Sequence, residues 1–263
     1  MIITSVRNPR VQAAAGLRER RERARQARIL IDGAREIGRA LDSGVKIVEA
    51  FVCQELLEAA ERQSLTERLV AADIPLVSVA PHVFAKLAYG ERAEGIVAVG
   101  EIPQTSLADL TLPPCPLVAV LESCEKPGNL GAVMRSADAA GLAAVIVADG
   151  RTDLFNPNAI RASLGTIFTV PLAAATSTEV LAFLRERGVS MIAARVDAAQ
   201  DYTEIDFIGP TAIVLGSEAA GLSDAWRAND VTAIRLPMLG AADSLNVSAT
   251  AAVLFYEALR QRR

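Results

Sequence analysis

The sequence predicts an α/β protein in two parts: a small α/β domain in front, then a parallel sheet with helices on both faces. Three observations lead there. From Leu117 onward, short apolar runs alternate with helical stretches, the pattern of strands buried on both sides. The segment Glu101–Pro116 carries four prolines, each of which removes a backbone donor and resists helix or central strand. Ahead of it, residues 1–100 alternate apolar and charged stretches on a smaller scale. The expected division is 1–100, a linker at 101–116, and 117–263.

In chain order, Asn8–Arg28 reads as a helix, with Pro9 suited to a first helical position and arginines on most faces. A short apolar strand follows, then a helix over Ala34–Leu41, a turn at Ser43-Gly44 and a strand near Val48–Cys53. Leu56–Ala72 is a charged helical stretch; Leu76–Val79 a strand after Pro75; Val83–Leu87 a short helix; Gly95–Val99 a strand. Beyond the linker the expected order is strand Leu117–Leu121, helix Leu130–Ala140, strand Ala144–Val147, a helix near Pro157–Ser163 and strand Thr166–Pro171. Helix Thr178–Arg187, strands Ser190–Ala194 and Ala212–Leu215, a helix near Ser223–Arg227, strand Val231–Leu236 and a final helix complete the series.

A chain of 263 residues with 51% hydrophobic content has ample material for burial. No apolar run is long enough to span a bilayer and the N-terminus lacks a signal-peptide core, so a cytoplasmic protein is expected. Cys53, Cys115 and Cys124 are odd in number and share no metal-ligand spacing, which points to buried free thiols, with neither a disulfide framework nor a metal site. The net charge of −4 hides an asymmetry: residues 1–39 hold ten arginines against four acids, or +6, leaving −10 for the rest. Two readings of this basic head stand, a solvated Arg-rich helix with partners such as Glu22 and Gln26, or an RNA-contacting arm. Arg7, Arg10, Arg20 and Arg21 are its candidate RNA contacts.

Ligands of such sheets gather beyond the carboxyl ends of the strands. The first loop there, "ESCEKPGNLGAVMRSADAAG", places Asn129 between Gly128 and Leu130 where it is suited to cap a helix. Arg135 further along either turns back to the mouth or pairs with Asp138. The stretch "GNLGAV" is no dinucleotide fingerprint and no P-loop lysine follows it, which disfavours a dehydrogenase. The second loop, "IVLGSEAAGLS", presents Gly216, Ser217, Glu218 and Gly221; Glu218 reads either as a first-turn carboxylate or as part of a functional loop. The third, "RLPMLGAADSLNVSATAAVLFYEALRQRR", puts small and polar residues ahead of the last helix, with Ser244, Asn246 or Ser248 as its N-cap. That helix carries Val247, Ala251, Leu254, Ala258 and Leu259 on one face and Val253, Phe255 and Tyr256 elsewhere, as in a helix buried deeply or shared with a second subunit. His82 is the sole histidine and sits in the front domain, so no Ser-His-Asp arrangement exists. Apart from Glu218 the loops offer no paired carboxylates, leaving a site of backbone, Asn, Ser, Glu and Arg suited to orienting a reactive cofactor and a phosphate-bearing substrate.

Taken together, "NLGAVMRSADAAG" (129–141), "LGSEAAGLS" (215–223) and "LPMLGAADSLNVSATAAVLFYEALRQR" (236–262) resemble the three ordered motifs of the SpoU-type (TrmH-like) RNA 2′-O-ribose methyltransferases of the SPOUT superfamily. The resemblance covers residues 117–263; "SVRNPRV" and "DGAREIGRAL" also look like the small substrate-binding domain that many of these enzymes carry in front. It implies a deep trefoil knot in the C-terminal sheet, a homodimer built partly through the last helix, and S-adenosylmethionine held in the knot by positions matching Gly216, Leu236 and Leu245. It implies methyl transfer to a ribose 2′-hydroxyl of RNA, with Arg135 at the hydroxyl and Asn129, Glu218, Ser244 and Asn246 orienting Arg135 and the nucleotide. Whether Arg135 takes the proton or stabilises the developing alkoxide stays open, because a guanidinium holds its proton up to a pKa above about 12. The front domain tilts the substrate towards ribosomal RNA over transfer RNA. The order Glu125-Lys126-Pro127-Gly128-Asn129 departs from relatives with an acid directly before the proline, and puts a positive charge at the mouth. A non-enzymatic RNA-binding protein of the same fold is the main rival reading.

Overall fold

The computed structural model describes residues 2–57, 60–89, 94–218 and 220–263, with only the backbone described at 60–63. Along the first hundred residues run α1 (Pro9–Gly16), α2 (Arg20–Gln26), β1 (Arg28–Asp32), α3 (Ala34–Asp42), β2 (Ile47–Val52), α4 (Ala60–Ala71), β3 (Leu76–Ser78), α5 (Pro81–Leu87) and β4 (Ile96–Glu101). Then follow β5 (Leu117–Glu122), α6 (Pro127–Ala140), β6 (Ala144–Ala148), α7 (Pro157–Ala162), β7 (Leu172–Ala175), α8 (Ser177–Glu186) and β8 (Ser190–Ala194). The chain ends with β9 (Gln200–Asp201), β10 (Thr211–Leu215), β11 (Val231–Arg235) and α9 (Val247–Gln261). The expected helix over Leu56–Ala72 shrinks to α4, and residues 58 and 59 lie outside the described residues.

Two compact units result, Met1–Pro103 with Phe155–Thr169, and Gln104–Leu154 with Val170–Arg263. The first is a mixed sheet in the order β1-β4-β2-β3, with β4 antiparallel to both neighbours and β2 parallel to β3. Its core gathers Val11, Leu17, Leu30, Phe51, Phe84 and Val97. The single helix expected over Asn8–Arg28 is two helices. Arg23, 2% exposed, donates to the carbonyls of Leu17 at 2.6 Å and Arg18 at 2.7 Å, and these take no part in a continuous helix ladder. A left-handed Ala27 (φ 51°) then ends α2 just before β1. Part of the basic head is thereby engaged inside the unit.

Residues 155–169 pack with this first unit although they lie between β6 and β7 in sequence. Arg161 donates to the Tyr89 carbonyl and lies 3.9 Å from Asp32, and Arg39 Nη1 donates to Leu164 O at 2.7 Å. The strand expected at Thr166–Pro171 is instead a string of turns. Ser163 Oγ donates to Ile160 O at 2.7 Å and Thr166 Oγ1 to Ser163 O at 2.8 Å, the local side-chain bonding that competes with a ladder. Leu164 and Gly165 take positive φ there, and pairing begins only at Leu172.

The second unit is a seven-stranded, all-parallel sheet in the order β7-β6-β5-β10-β8-β11-β9. Val118, Val120, Ile146, Ala212 and Val214 point to one face and pack with Val180, Leu184 and Trp226 from α8 and the turn after it in space. Because side chains alternate along a strand, Ala119, Leu121, Val145 and Ile213, all buried, face the other side, where α6 and α9 pack on the sheet and on each other. The expectation of a parallel sheet covered on both faces is met. In α9 the core-facing residues are Ala251, Leu254, Phe255 and Ala258. Phe255, expected off the main apolar face, is fully buried, while Val253 and Tyr256 stay exposed. The turn near 223–227 is a short 3-10 stretch, Asp224–Arg227.

Candidate functional site

The carboxyl ends of β5, β10 and β11 deliver the three loops to one edge of the second unit. Lys126, with no side-chain capping bond, precedes Pro127 at the start of α6. Asn129 therefore falls inside the first turn, not at the cap expected for it. Its side chain is free for another task, and Nδ2 donates to Glu218 Oε1 at 3.0 Å. Glu218 is not in a helix: its loop is closed by paired backbone bonds, Ser217 N to Gly221 O at 3.1 Å and the reverse at 3.0 Å. The approach needs a glycine at 216, since a Cβ there would lie 2.3 Å from the Gly221 carbonyl carbon. Asn246 is the N-cap of α9, its Oδ1 accepting from Ser248 N at 2.9 Å and Ser248 Oγ at 2.6 Å.

Three of the five expected catalytic residues thus meet. The Glu218 carboxylate takes donors from Lys126, Asn129 and Asn246. The hydrogen-bonded ammonium of Lys126, then the Asn129 amide, holds its pKa below the ordinary carboxylate value, and Glu218 in turn raises that of Lys126. Both groups are charged at neutral pH. Ser244 is exposed on the wall of the larger recess described next. Arg135 is exposed on α6 and lines neither recess.

Two adjoining recesses open at this edge. The larger, about 830 Å³, is lined by Gly216, Leu222, Leu236, Leu245 and Val247, with Arg195, Asp197 and Arg227 among its polar residues. All three expected cofactor positions, Gly216, Leu236 and Leu245, lie on it. Its volume suits a small-molecule ligand, and a glycine backbone, leucines and a few charged groups match the mixed polar and apolar surface of an adenosyl-amino acid. The smaller recess, about 180 Å³, adds Glu122, Cys124, Lys126 and Asn129 to Gly216 and Glu218. Sequence reasoning missed Glu122 and found no second acid in the loops. It is 3% exposed at the end of β5, and the only signal was an acid closing an apolar run. Burial pushes the Cys124 thiol up to about 11, so it stays protonated at neutral pH. Cys53 is also buried, but Cys115 is exposed, against expectation. Among the described residues no cluster could hold a metal ion.

In the first unit, Arg7, Arg20 and Arg21 are exposed, while Arg10 pairs with Glu49, Nε to Oε2 3.0 Å. Glu22 binds Arg25 and Gln26. His82 is structural, its Nε2 bonded to Thr4 O at 2.8 Å.

A parallel α/β sheet that gathers three loops around a ligand-sized recess defines a small-molecule-binding α/β protein. Residues 116–256 match the SpoU rRNA Methylase family, and residues 8–98 match the MRM3-like substrate binding domain. The chain belongs to the SpoU rRNA methylase family. It is 33% identical to a 23S rRNA (uridine(2479)-2′-O)-methyltransferase of Streptomyces viridochromogenes, over 99% of this chain and 92% of that protein. It is 28% identical to the Bacillus subtilis 23S rRNA (guanosine(2553)-2′-O)-methyltransferase RlmP, over 97% of each. A crystal structure of an RNA 2′-O ribose methyltransferase superposes with TM-score 0.87 at 43% identity, covering 100% of this chain and 99% of that one. The AdoMet-bound rRNA methyltransferase from Sinorhizobium meliloti gives TM-score 0.89 at 27% identity, covering 99% and 97%.

Proposed function

We propose that this protein transfers a methyl group from S-adenosylmethionine to a ribose 2′-hydroxyl of ribosomal RNA. The observation that carries the reading is the meeting of Asn129, Glu218 and Asn246 at the rim of a recess lined by Gly216, Leu236 and Leu245. The cofactor supplies an electrophilic methyl on sulfonium; the chain supplies its placement. Backbone at Gly216 and the side chains of Leu236 and Leu245 hold it, since a glycine wall lets main-chain groups approach closely. Glu218, fixed by three donors, locks the amides of Asn129 and Asn246 at the mouth, so the receiving sugar meets pre-oriented groups. Ser244 adds a hydroxyl to the same wall. Arg135 contacts the nucleotide and stabilises negative charge developing on the 2′-oxygen.

Relatives named as 23S rRNA enzymes and the match of residues 8–98 to a substrate-binding domain support ribosomal RNA over transfer RNA. Exposed Arg7, Arg20 and Arg21, with Arg10 beside them, supply phosphate contacts from the front domain. The parts act as a substrate-binding domain over 1–100, a linker at 101–116 and a methyltransferase domain over 117–263. Family membership supports a deep trefoil knot through the last strands and a homodimer. For the dimer, α9 offers the exposed apolar side chains of Val253 and Tyr256, and the preceding loop that of Leu239. A ribosomal substrate favours the cytoplasm, and among the described residues no helix is long and apolar enough to cross a membrane. The test is mass-spectrometric mapping of ribose methylation in ribosomal RNA from cells with and without the gene, beside calorimetric titration with S-adenosylmethionine. One ribose methyl lost with the gene and regained with purified protein and cofactor is expected; an unchanged map together with no cofactor binding sinks the reading.

A further inference from the structure

Glu122 is a carboxylate buried to 3% exposure at the carboxyl end of the interior strand β5. A charge in that position costs desolvation that an apolar residue of similar size avoids. It persists only where hydrogen bonds replace the lost water. Glu122 has three. Ser177 Oγ donates to Oε1 at 2.7 Å, Ser223 Oγ to Oε1 at 2.6 Å, and the Ser223 backbone N–H to Oε2 at 2.7 Å. Two of the three therefore go to one residue, the last of the loop that begins at Gly216.

That loop is the wall common to both recesses. It is pinned at its start by β10 and in its middle by the Ser217–Gly221 pair. At its end Leu222 packs against the core that includes Val118 and Val120 of β5, Ser223 is hydrogen-bonded to Glu122 of β5, and the next buried side chain, Trp226, lies in the same core. We propose that Glu122 is a positioning residue for cofactor binding: through Ser223 it fixes the far end of the Gly216–Leu222 wall, and with it the height of Glu218. Ser177, at the start of α8, is the counter-anchor that holds the carboxylate and lines neither recess. The inference rests on reading the larger recess as the S-adenosylmethionine site.

Glu122→Gln is the sharp substitution, because it keeps size but removes the charge and one of the two acceptor oxygens, so the charge-assisted bonds from Ser223 and Ser177 are weakened. Ser223→Ala removes one bond and keeps the backbone, and so tests the same link if the first variant folds poorly. In the full-length protein without ligand, amide exchange across Ser217–Ser223 is expected to quicken at least tenfold in both variants. S-adenosylmethionine is expected to bind about tenfold more weakly, read by calorimetry and by fluorescence of Trp226, the only tryptophan. The double variant is expected to be no worse than Glu122→Gln alone, since both cut one link. Ser177→Ala is expected to lower Tm while leaving cofactor affinity within twofold. Unchanged exchange in folded Glu122→Gln and Ser223→Ala overturns the proposal, as does an affinity loss in Ser177→Ala equal to theirs. If the unaltered protein fails to bind S-adenosylmethionine, the functional reading falls, and the exchange measurement alone decides on the anchor.

Discussion

Asn246 works with both ends of its amide: Oδ1 caps the last helix through Ser248 N at 2.9 Å, while Nδ2 donates to the carboxylate of Glu218. Fold and site are thus joined in one side chain. Asn246→Asp keeps an oxygen for the cap, where the two residues rank equally, but sets a second carboxylate against Glu218. The expected result is a Tm within about 2 °C of the unaltered protein at pH 8 and at least a tenfold loss of methyl transfer, partly regained as pH falls and the pair shares a proton. A helix melting early together with full activity would contradict this.

Arg135 stands apart from both recesses on an exposed face of α6. Arg135→Ala is expected to abolish turnover, by a factor of about 10² or more as for other lost electrostatic stabilisers, while S-adenosylmethionine affinity stays within twofold. Single-turnover methylation beside calorimetry separates the two effects, and unchanged turnover removes Arg135 from the mechanism.

The ion pair of Lys126 with Glu218 is expected to set an acid limit on activity. Hydrogen bonding to the ammonium lowers the Glu218 pKa from 4.5, so the stabilising charged pair is present above that value and lost as pH falls through the lower folded value. In Lys126→Met the principal cause of the depression is gone, and the acid limb of the kcat/KM profile is expected to move to higher pH. A profile superimposable on the original would mean that Glu218 does not act as an anion in the reaction.

Asp32 predicts the opposite pH dependence for stability. Burial, the largest influence, pushes its carboxyl from 3.8 to about 6 against the pull of the Tyr89 amide and Arg161. The folded protein binds this proton more tightly than the unfolded chain, so the stability that this one group contributes is fully present below about pH 4 and is lost as pH rises through about 6. A shift of about 2 units corresponds to about 3 kcal/mol. Asp32→Asn keeps an acceptor for Tyr89 N and buries no charge, and the difference in unfolding free energy between pH 4 and pH 7 is expected to shrink by about that amount. Denaturant titrations at the two pH values measure it; an undiminished difference assigns it elsewhere.

Most of the sheet was legible because its strands are uniformly apolar and its helices periodic, so local pattern and global burial agree. The failures share a cause. The helix break at Leu17–Glu19 depends on a buried Arg23 claiming two carbonyls, and the turns at 163–169 on hydroxyls competing with the ladder. Both are side-chain to backbone bonds made over three to six residues, which apolar periodicity does not display. At the site, Asn129, Glu218 and Asn246 were readable from their motifs, and Asn246 is one of the expected caps of the last helix, but the convergence of both amides on Glu218 was not readable. Local rule suits Asn129 to the cap, whereas the helix starts at Pro127, three residues ahead of the expected Leu130, and the amide donates to Glu218. Glu122 was invisible because an acid at the end of a strand looks like the beginning of a loop.

The strip from Phe155 to Thr169 leaves the parallel sheet after β6, packs with the front unit, and returns to start β7. Excising everything ahead of the proline-rich segment would therefore strand this strip without its bed, uncovering Phe155, Ile160 and Ile167, all buried in the intact chain. Recombining front halves between relatives must respect that debt: a graft that exchanges residues 1–103 and keeps the native strip inherits a mismatched seam, whereas carrying both pieces together preserves it.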